Sequence, residues 1–191
     1  MEAIDILLAG SDTTAFTLAT SLFYILRDEK VKVKLIETLD EHMPDPDNML
    51  LLKLEKIEYL WACVKESLRI AMPVPGQLPR VVPKGKSPLA VNGQVVPPGT
   101  VTGMSAYTMN FDPELWGPDS RLYDPSRWLG GNGKSLDQNL CTIAHAEVTI
   151  LLAYLFRDFE MTLHTHRLDP TGLFVSTYKH GVYVKFKHGR S

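Results

Sequence analysis

Chemistry-bearing side chains gather in three short stretches of this sequence. In the first, Ala9-Gly10-Ser11-Asp12-Thr13-Thr14, a carboxylic acid stands beside an alcohol, a pair able to hand protons to a neighbouring group. Gly10 would let a ligand come close to the backbone there. Ser, Asp and Thr also compete for backbone hydrogen bonds, so the stretch reads either as a local opening of a helix or as a helix boundary with Ser11 or Asp12 as N-cap. In the second, Lys65-Glu66-Ser67-Leu68-Arg69, the i, i+3 spacing puts Glu66 and Arg69 on one helix face. On an exposed surface such an ion pair stabilises by under about 1 kcal/mol. In the third, Tyr123-Asp124-Pro125-Ser126-Arg127-Trp128-Leu129, Arg127 alone reads as a loop arginine packed on Trp128. Of the two cysteines, Cys63 falls at apolar helical spacing and reads as core, with no positioned His to make it a nucleophile. Cys141 reads as a small apolar residue at a helix start.

These residues need elements to hold them. Apolar residues from Ile4 through Phe16 and Phe23 to Leu26 recur at helical spacing and predict one long helix over 2–28, apolar on most sides. A helix of that kind is normally buried in a large protein, and this one has no N-cap of its own, so the chain is expected to start inside a larger fold. A charged amphipathic helix is predicted over 29–43, and a third over 54–71, stopped before Pro73 and Pro75. Leu89-Ala90-Val91 and Gln94-Val95-Val96 flank Asn92-Gly93, a hairpin signal because both turn residues tolerate positive φ. A strand is expected over 101–107, loops over 112–142 and a fourth helix over 143–157. Segments 172–177 and 182–187, joined at Lys179-His180-Gly181, read as a second hairpin. The expected class is mainly α with small β-sheets (α+β), a single domain with a helical part (1–71), a sheet and loop part (72–142) and a helix plus hairpin (143–191).

Composition narrows the function classes. The chain has 191 residues, 45% of them apolar and 22% charged, with a net charge of -2. That suits one domain with a real core and lacks the clustered Lys and Arg that a nucleic-acid partner requires. Two cysteines make no disulfide framework. The start, Met1-Glu2-Ala3-Ile4-Asp5, lacks the basic stretch of a signal peptide, and no apolar run reaches the ~18 residues of a membrane span. There are no internal repeats.

Taken together, the three motifs are far more specific than any one of them. In order and spacing they resemble the cytochrome P-450 monooxygenases of fungal type, and the intervening text matches as well. The stretch Ile57-Glu58-Tyr59-Leu60-Trp61-Ala62-Cys63-Val64-Lys65-Glu66 is similar to the family's E-x-x-R helix. Gly76-Gln77-Leu78-Pro79-Arg80-Val81-Val82-Pro83 is similar to its strand entry, and 96–108 to its IPxGTxVGMSAY stretch. The resemblance covers essentially the whole chain and corresponds to the C-terminal part of a family member.

The resemblance implies haem b as cofactor, electrons from NADPH through a cytochrome P-450 reductase, O2, and a small lipophilic substrate into which one oxygen atom is inserted. Asp12 and Thr13 match the catalytic pair that delivers protons for O–O cleavage in a dry site. Gly10 matches the residue that leaves room over the haem. Glu66, Arg69 and Arg127 match a triad that locks the loop bearing the iron ligand, with Ser126 where a Glu usually stands. Arg80 matches a position that pairs with a haem propionate, and Asn110 replaces the usual His. Segments 73–78 and 173–176 are expected to face the substrate. Full-length members imply the endoplasmic reticulum membrane, whereas this chain has no anchor of its own.

One part of the pattern is missing. After Leu136-Asp137-Gln138-Asn139-Leu140 the family continues with Phe-x-x-Gly-x-Arg-x-Cys-x-Gly, then a helix matched here by Ile143-Ala144-His145-Ala146-Glu147. Only Cys141 and Thr142 stand between them. The lost loop would carry the thiolate and the N–H groups that tune it. Cys141 is then the candidate metal ligand, in a shifted position, and His145 a second. Two expectations follow: a haem-thiolate monooxygenase, or a catalytically inactive fragment that binds no haem.

Overall fold

The structure, a computed structural model, describes residues 2–43, 50–85, 88–137, 145–172 and 175–189. Helix α1 (Glu2–Arg27) runs into α2 (Glu29–His42) with only Asp28 between them. That residue is extended, and its carboxylate accepts from the N–H groups of Lys30 and Val31 at 3.0 and 3.4 Å, so one cap ends the first helix and starts the second. A single-turn α3 (Leu51–Leu54) precedes α4 (Glu58–Ala71), where the sequence predicted one helix from 54.

Helix α4 is the centre of the molecule: every residue from Ala62 to Ala71 is buried. A helix buried all round is ordinarily apolar. This one carries Lys65, Glu66 and Arg69, so its burial depends on partners for three charges. Around it pack α1, α2 and α8 (His145–Asp158), through Leu22, Ile25, Leu35, Leu60, Leu152 and Phe156. Each such side chain contributes roughly 1.5–3 kcal/mol on leaving water.

The sheets are small and two-stranded. Strand β1 (Arg80–Val81) pairs antiparallel with β4 (Val101–Thr102). The hairpin of β2 (Leu89–Val91) and β3 (Gln94–Val96) forms as the sequence predicted, with Asn92 and Gly93 at φ 49° and 78°. The strand expected over 101–107 ends at Thr102. Ser105 instead caps a short helix, α5 (Ala106–Asn110), accepting from Thr108 N and donating to the carbonyl of Pro75. The loop-rich stretch that follows contains α6 (Pro113–Trp116), 3-10 turns at Pro125–Trp128 and Gly130–Asn132, and α7 (Gly133–Leu136).

The second expected hairpin does not form. Strand β7 (Thr177–Tyr178) pairs with β6 (Pro170–Thr171), whereas β8 (Val184–His188) pairs with β5 (Phe159–Leu163) directly after α8. Met161 of β5 reaches the core, and that burial, absent from the local turn signal, decides the pairing. No helix among the described residues is long and apolar enough to cross a membrane.

Candidate functional site

Glu66 is fully buried on α4, and both of its carboxylate oxygens are saturated. Oε1 accepts from Arg69 Nη2 at 2.7 Å, Asp124 N at 2.9 Å and Arg127 Nε at 3.0 Å. Oε2 accepts from Arg69 Nε and from Trp128 Nε1, each at 2.9 Å. Arg69, equally buried, forks onto Glu66 and spends its remaining donors on three carbonyls: Asn110 (2.7 Å), Ser120 (2.5 Å) and Leu122 (3.0 Å). Arg127 continues outward to the carbonyl of Trp116 at 3.0 Å and to Asp119. A planar guanidinium suits this work because its donors sit in a rigid fork.

The i, i+3 pair of the sequence is therefore no surface ion pair but the hub tying α4 to the chain from 110 to 128. Arg127 differs from its local reading too, since its guanidinium goes to Glu66, while Trp128 lends its N–H to the same carboxylate and its ring to Lys65. Ser126 is exposed, and the network runs through Arg127. Asn110 and Ser120 join the hub unforeseen, as does the backbone N–H of Asp124. The Asn110 amide is buried and donates to the Arg69 carbonyl at 3.0 Å. Backbone partners leave no signature in side-chain spacing. The Trp next to Arg127 was the one available hint of a buried N–H looking for an acceptor.

Asp12 and Thr13 lie on α1, which is continuous through 9–14: neither the local opening nor the boundary occurs. The Ser/Thr run further along bonds back to the previous turn, Thr17 to Thr13 O at 2.8 Å, Thr20 to Phe16 O and Ser21 to Thr17 O at 2.7 Å each, which satisfies the hydroxyls without breaking the helix. Gly10 and Asp12 are exposed, and a Cβ built on Gly10 meets nothing within 4 Å. Gly10→Ala is accordingly expected to raise the stability of this chain by about 0.5–1 kcal/mol in a urea titration, through helix propensity alone. A loss would show that the glycine serves the packing of α1.

Arg80 is exposed on β1, its Nη1 donating to Pro79 O at 2.9 Å, and lies apart from the Glu66 hub. Cys141 lies outside the described residues. His145 opens α8. Cys63 is fully buried on α4, where burial first, and then the charge of Glu66, pushes its thiol well above the usual range. Peptide mapping after treatment with a thiol reagent should find Cys63 unmodified in the native chain and labelled in denaturant; fast native labelling would contradict the packing of α4.

A cavity of about 440 Å³ opens between α1, the end of α4, α5 and the β6–β7 sheet. Pro75 and Ser176, from the two segments expected to face a substrate, line it.

The family model described as "Cytochrome P450" matches residues 1–140 of this chain, ending where the expected iron-ligand loop should begin. The chain is 35% identical over 175 residues to "Inactive cytochrome P450 monooxygenase cloA" of Claviceps fusiformis, an alignment covering 85% of this chain and 34% of that protein. It is 33% identical, over the same shares, to "Cytochrome P450 monooxygenase cloA" of Claviceps purpurea. It is 36% identical over 142 residues to "Cytochrome P450 monooxygenase sol6" of Alternaria solani, covering 74% of this chain and 30% of that one. A crystal structure of a cytochrome P450 (CYP102L1) superposes with a TM-score of 0.77 at 19% identity, over 95% of this chain and 44% of the other. The chain thus spans about a third of the length of the curated relatives it matches.

Proposed function

Because the chain belongs to the cytochrome P450 family, we propose that its fold is that of a haem-thiolate monooxygenase, of which this sequence supplies the distal helix and the bracing hub but not the thiolate. The family reaction inserts one oxygen atom of O2 into a small lipophilic molecule. The same reading brings electrons from NADPH through a reductase and, for full-length members, attachment to the endoplasmic reticulum membrane.

Haem iron is what the family implies, and the residues can be tested for it. The distal face suits the group: Gly10 leaves open space, and Asp12 stands next to Thr13 on the same helix. Arg80 is exposed and suits a carboxylate. The donor set for the iron does not fit. Among the described residues the one free cysteine is Cys63, buried and held as the thiol. In the sequence, only Cys141 and Thr142 separate Leu140 from Ile143. The reading rests on this contrast between a complete Glu66–Arg69–Arg127 hub and an absent loop for it to brace. A second reading, with Cys141 as a relocated ligand, is favoured by its place in the sequence, four residues before His145.

The ferrous–CO difference spectrum of the chain, expressed with haem supplied, tests the two. The expected result is no thiolate-type band. A red-shifted Soret band of thiolate ligation, lost in Cys141→Ser, would overturn the proposal and establish Cys141 as the ligand.

A further inference from the structure

The cavity beside α1 has a chemistry of its own. Its volume, about 440 Å³, is in the range of small-molecule sites. Five aromatic rings line it, two pairs of them in contact: Phe16 and Tyr178 stack at 4.4 Å between centroids, and Tyr107 and Phe111 meet edge to face at 5.1 Å. Flat aromatic walls favour a flat aromatic guest, which can stack or sit edge-on. Met72, which also lines the cavity, is held at φ 42°, a conformation a non-glycine side chain rarely adopts, and it turns the chain out of α4 into this wall.

The polar end of the cavity has a fixed proton order. Thr20 Oγ1 donates to the carbonyl of Phe16 at 2.7 Å, so its single proton is committed. Tyr178 Oη lies 2.5 Å from the same Thr20 oxygen and must therefore be the donor to it. Its own oxygen is left as an acceptor. Burial pushes the Tyr178 phenol up to about 12, so the phenol stays neutral.

We propose that this cavity takes a planar aromatic molecule carrying one N–H or O–H group, which donates to the phenolic oxygen of Tyr178. The proposal deepens the functional reading above and rests on it only in calling that molecule a substrate; the binding itself requires no iron.

Titration calorimetry of the whole chain with β-naphthol and with its methyl ether tests this. The two share size and ring, and only the naphthol can donate. The naphthol is expected to bind about tenfold more tightly, the effect of one hydrogen bond. Tyr178→Phe should abolish that preference by weakening the naphthol and leaving the ether unchanged. Thr20→Val gives an independent check that keeps the phenol: it frees the Tyr178 proton to point into the cavity, and the preference should narrow. Equal affinities in the native chain, no binding of either compound, or a preference untouched by both variants would overturn the proposal. A thiolate band in the CO spectrum would refute the reading of the iron site and leave this one standing, and failure of naphthol binding would do the reverse.

Discussion

Glu66→Ala should remove a large part of the stability of this chain. The carboxylate is fully buried and pairs with two guanidinium groups, so deleting it leaves Arg69 with a charge and two donors unanswered in the core. Removing one partner of a buried pair costs about 3–5 kcal/mol, against a total of roughly 5–15 kcal/mol for an ordinary domain. Trp116 lies against Arg69, its ring 5.2 Å from the guanidinium carbon, and Trp128 bonds Glu66 itself, so tryptophan fluorescence during urea unfolding reports directly on the hub. The same measurement on Glu66→Met with Arg69→Met should show less loss than Glu66→Ala alone, since the fully buried charge of Arg69 is gone and Arg127 keeps Asp119. A loss under about 1 kcal/mol for Glu66→Ala would mean that solvent reaches the hub.

Arg69→Lys, which keeps the charge, is expected to cost nearly as much. Arg69 answers two carboxylate oxygens and the carbonyls of Asn110, Ser120 and Leu122 with five hydrogen bonds. An ammonium has three donors and no fork, so at least two of these acceptors go unpaired at about 1–3 kcal/mol each. The damage should be spatially specific. Hydrogen exchange would rise first at 106–122, which the arginine holds to α4, while α1, α2 and α8 keep their apolar contacts. Uniform exchange across the chain would show instead that the hub and the helical core unfold as one unit.

The helices were legible because their signals are local. Apolar spacing gave α1 and α2 to within a residue or two, and Asn92-Gly93 gave the β2–β3 hairpin because only its own turn had to be right. The sheet of β5 and β8 was not legible. Its partners are separated by two strands and a turn, and what pairs them is the burial of Met161. Ser105 illustrates a smaller failure, where a side chain able to cap a helix overrode a β-branched run. At the candidate site, Glu66, Arg69 and Arg127 could be named from their motifs, but their burial could not. An i, i+3 pair reads the same on a surface as in a core, and the difference lies in Asn110, Ser120 and Leu122, which contribute carbonyls that no sequence pattern marks. Apolar spacing carried α1 through Gly10, and the local opening or boundary suggested by Ser11, Asp12 and Thr13 does not occur.

The hub also sets an order of events in time. Arg127 and Trp128 meet Glu66 across 61 and 62 residues of chain, whereas the capped junction of α1 and α2 closes between neighbours. Loop closure over such a span is costly before the contact repays it, so the α1–α2 junction closes early and the arginine clasp is expected to shut late. Interactions absent from the transition state govern how fast a protein comes apart rather than how fast it forms. The clasp at Arg127 is thus a latch on unfolding: weakening it shortens the lifetime of the native chain and leaves its rate of folding unchanged.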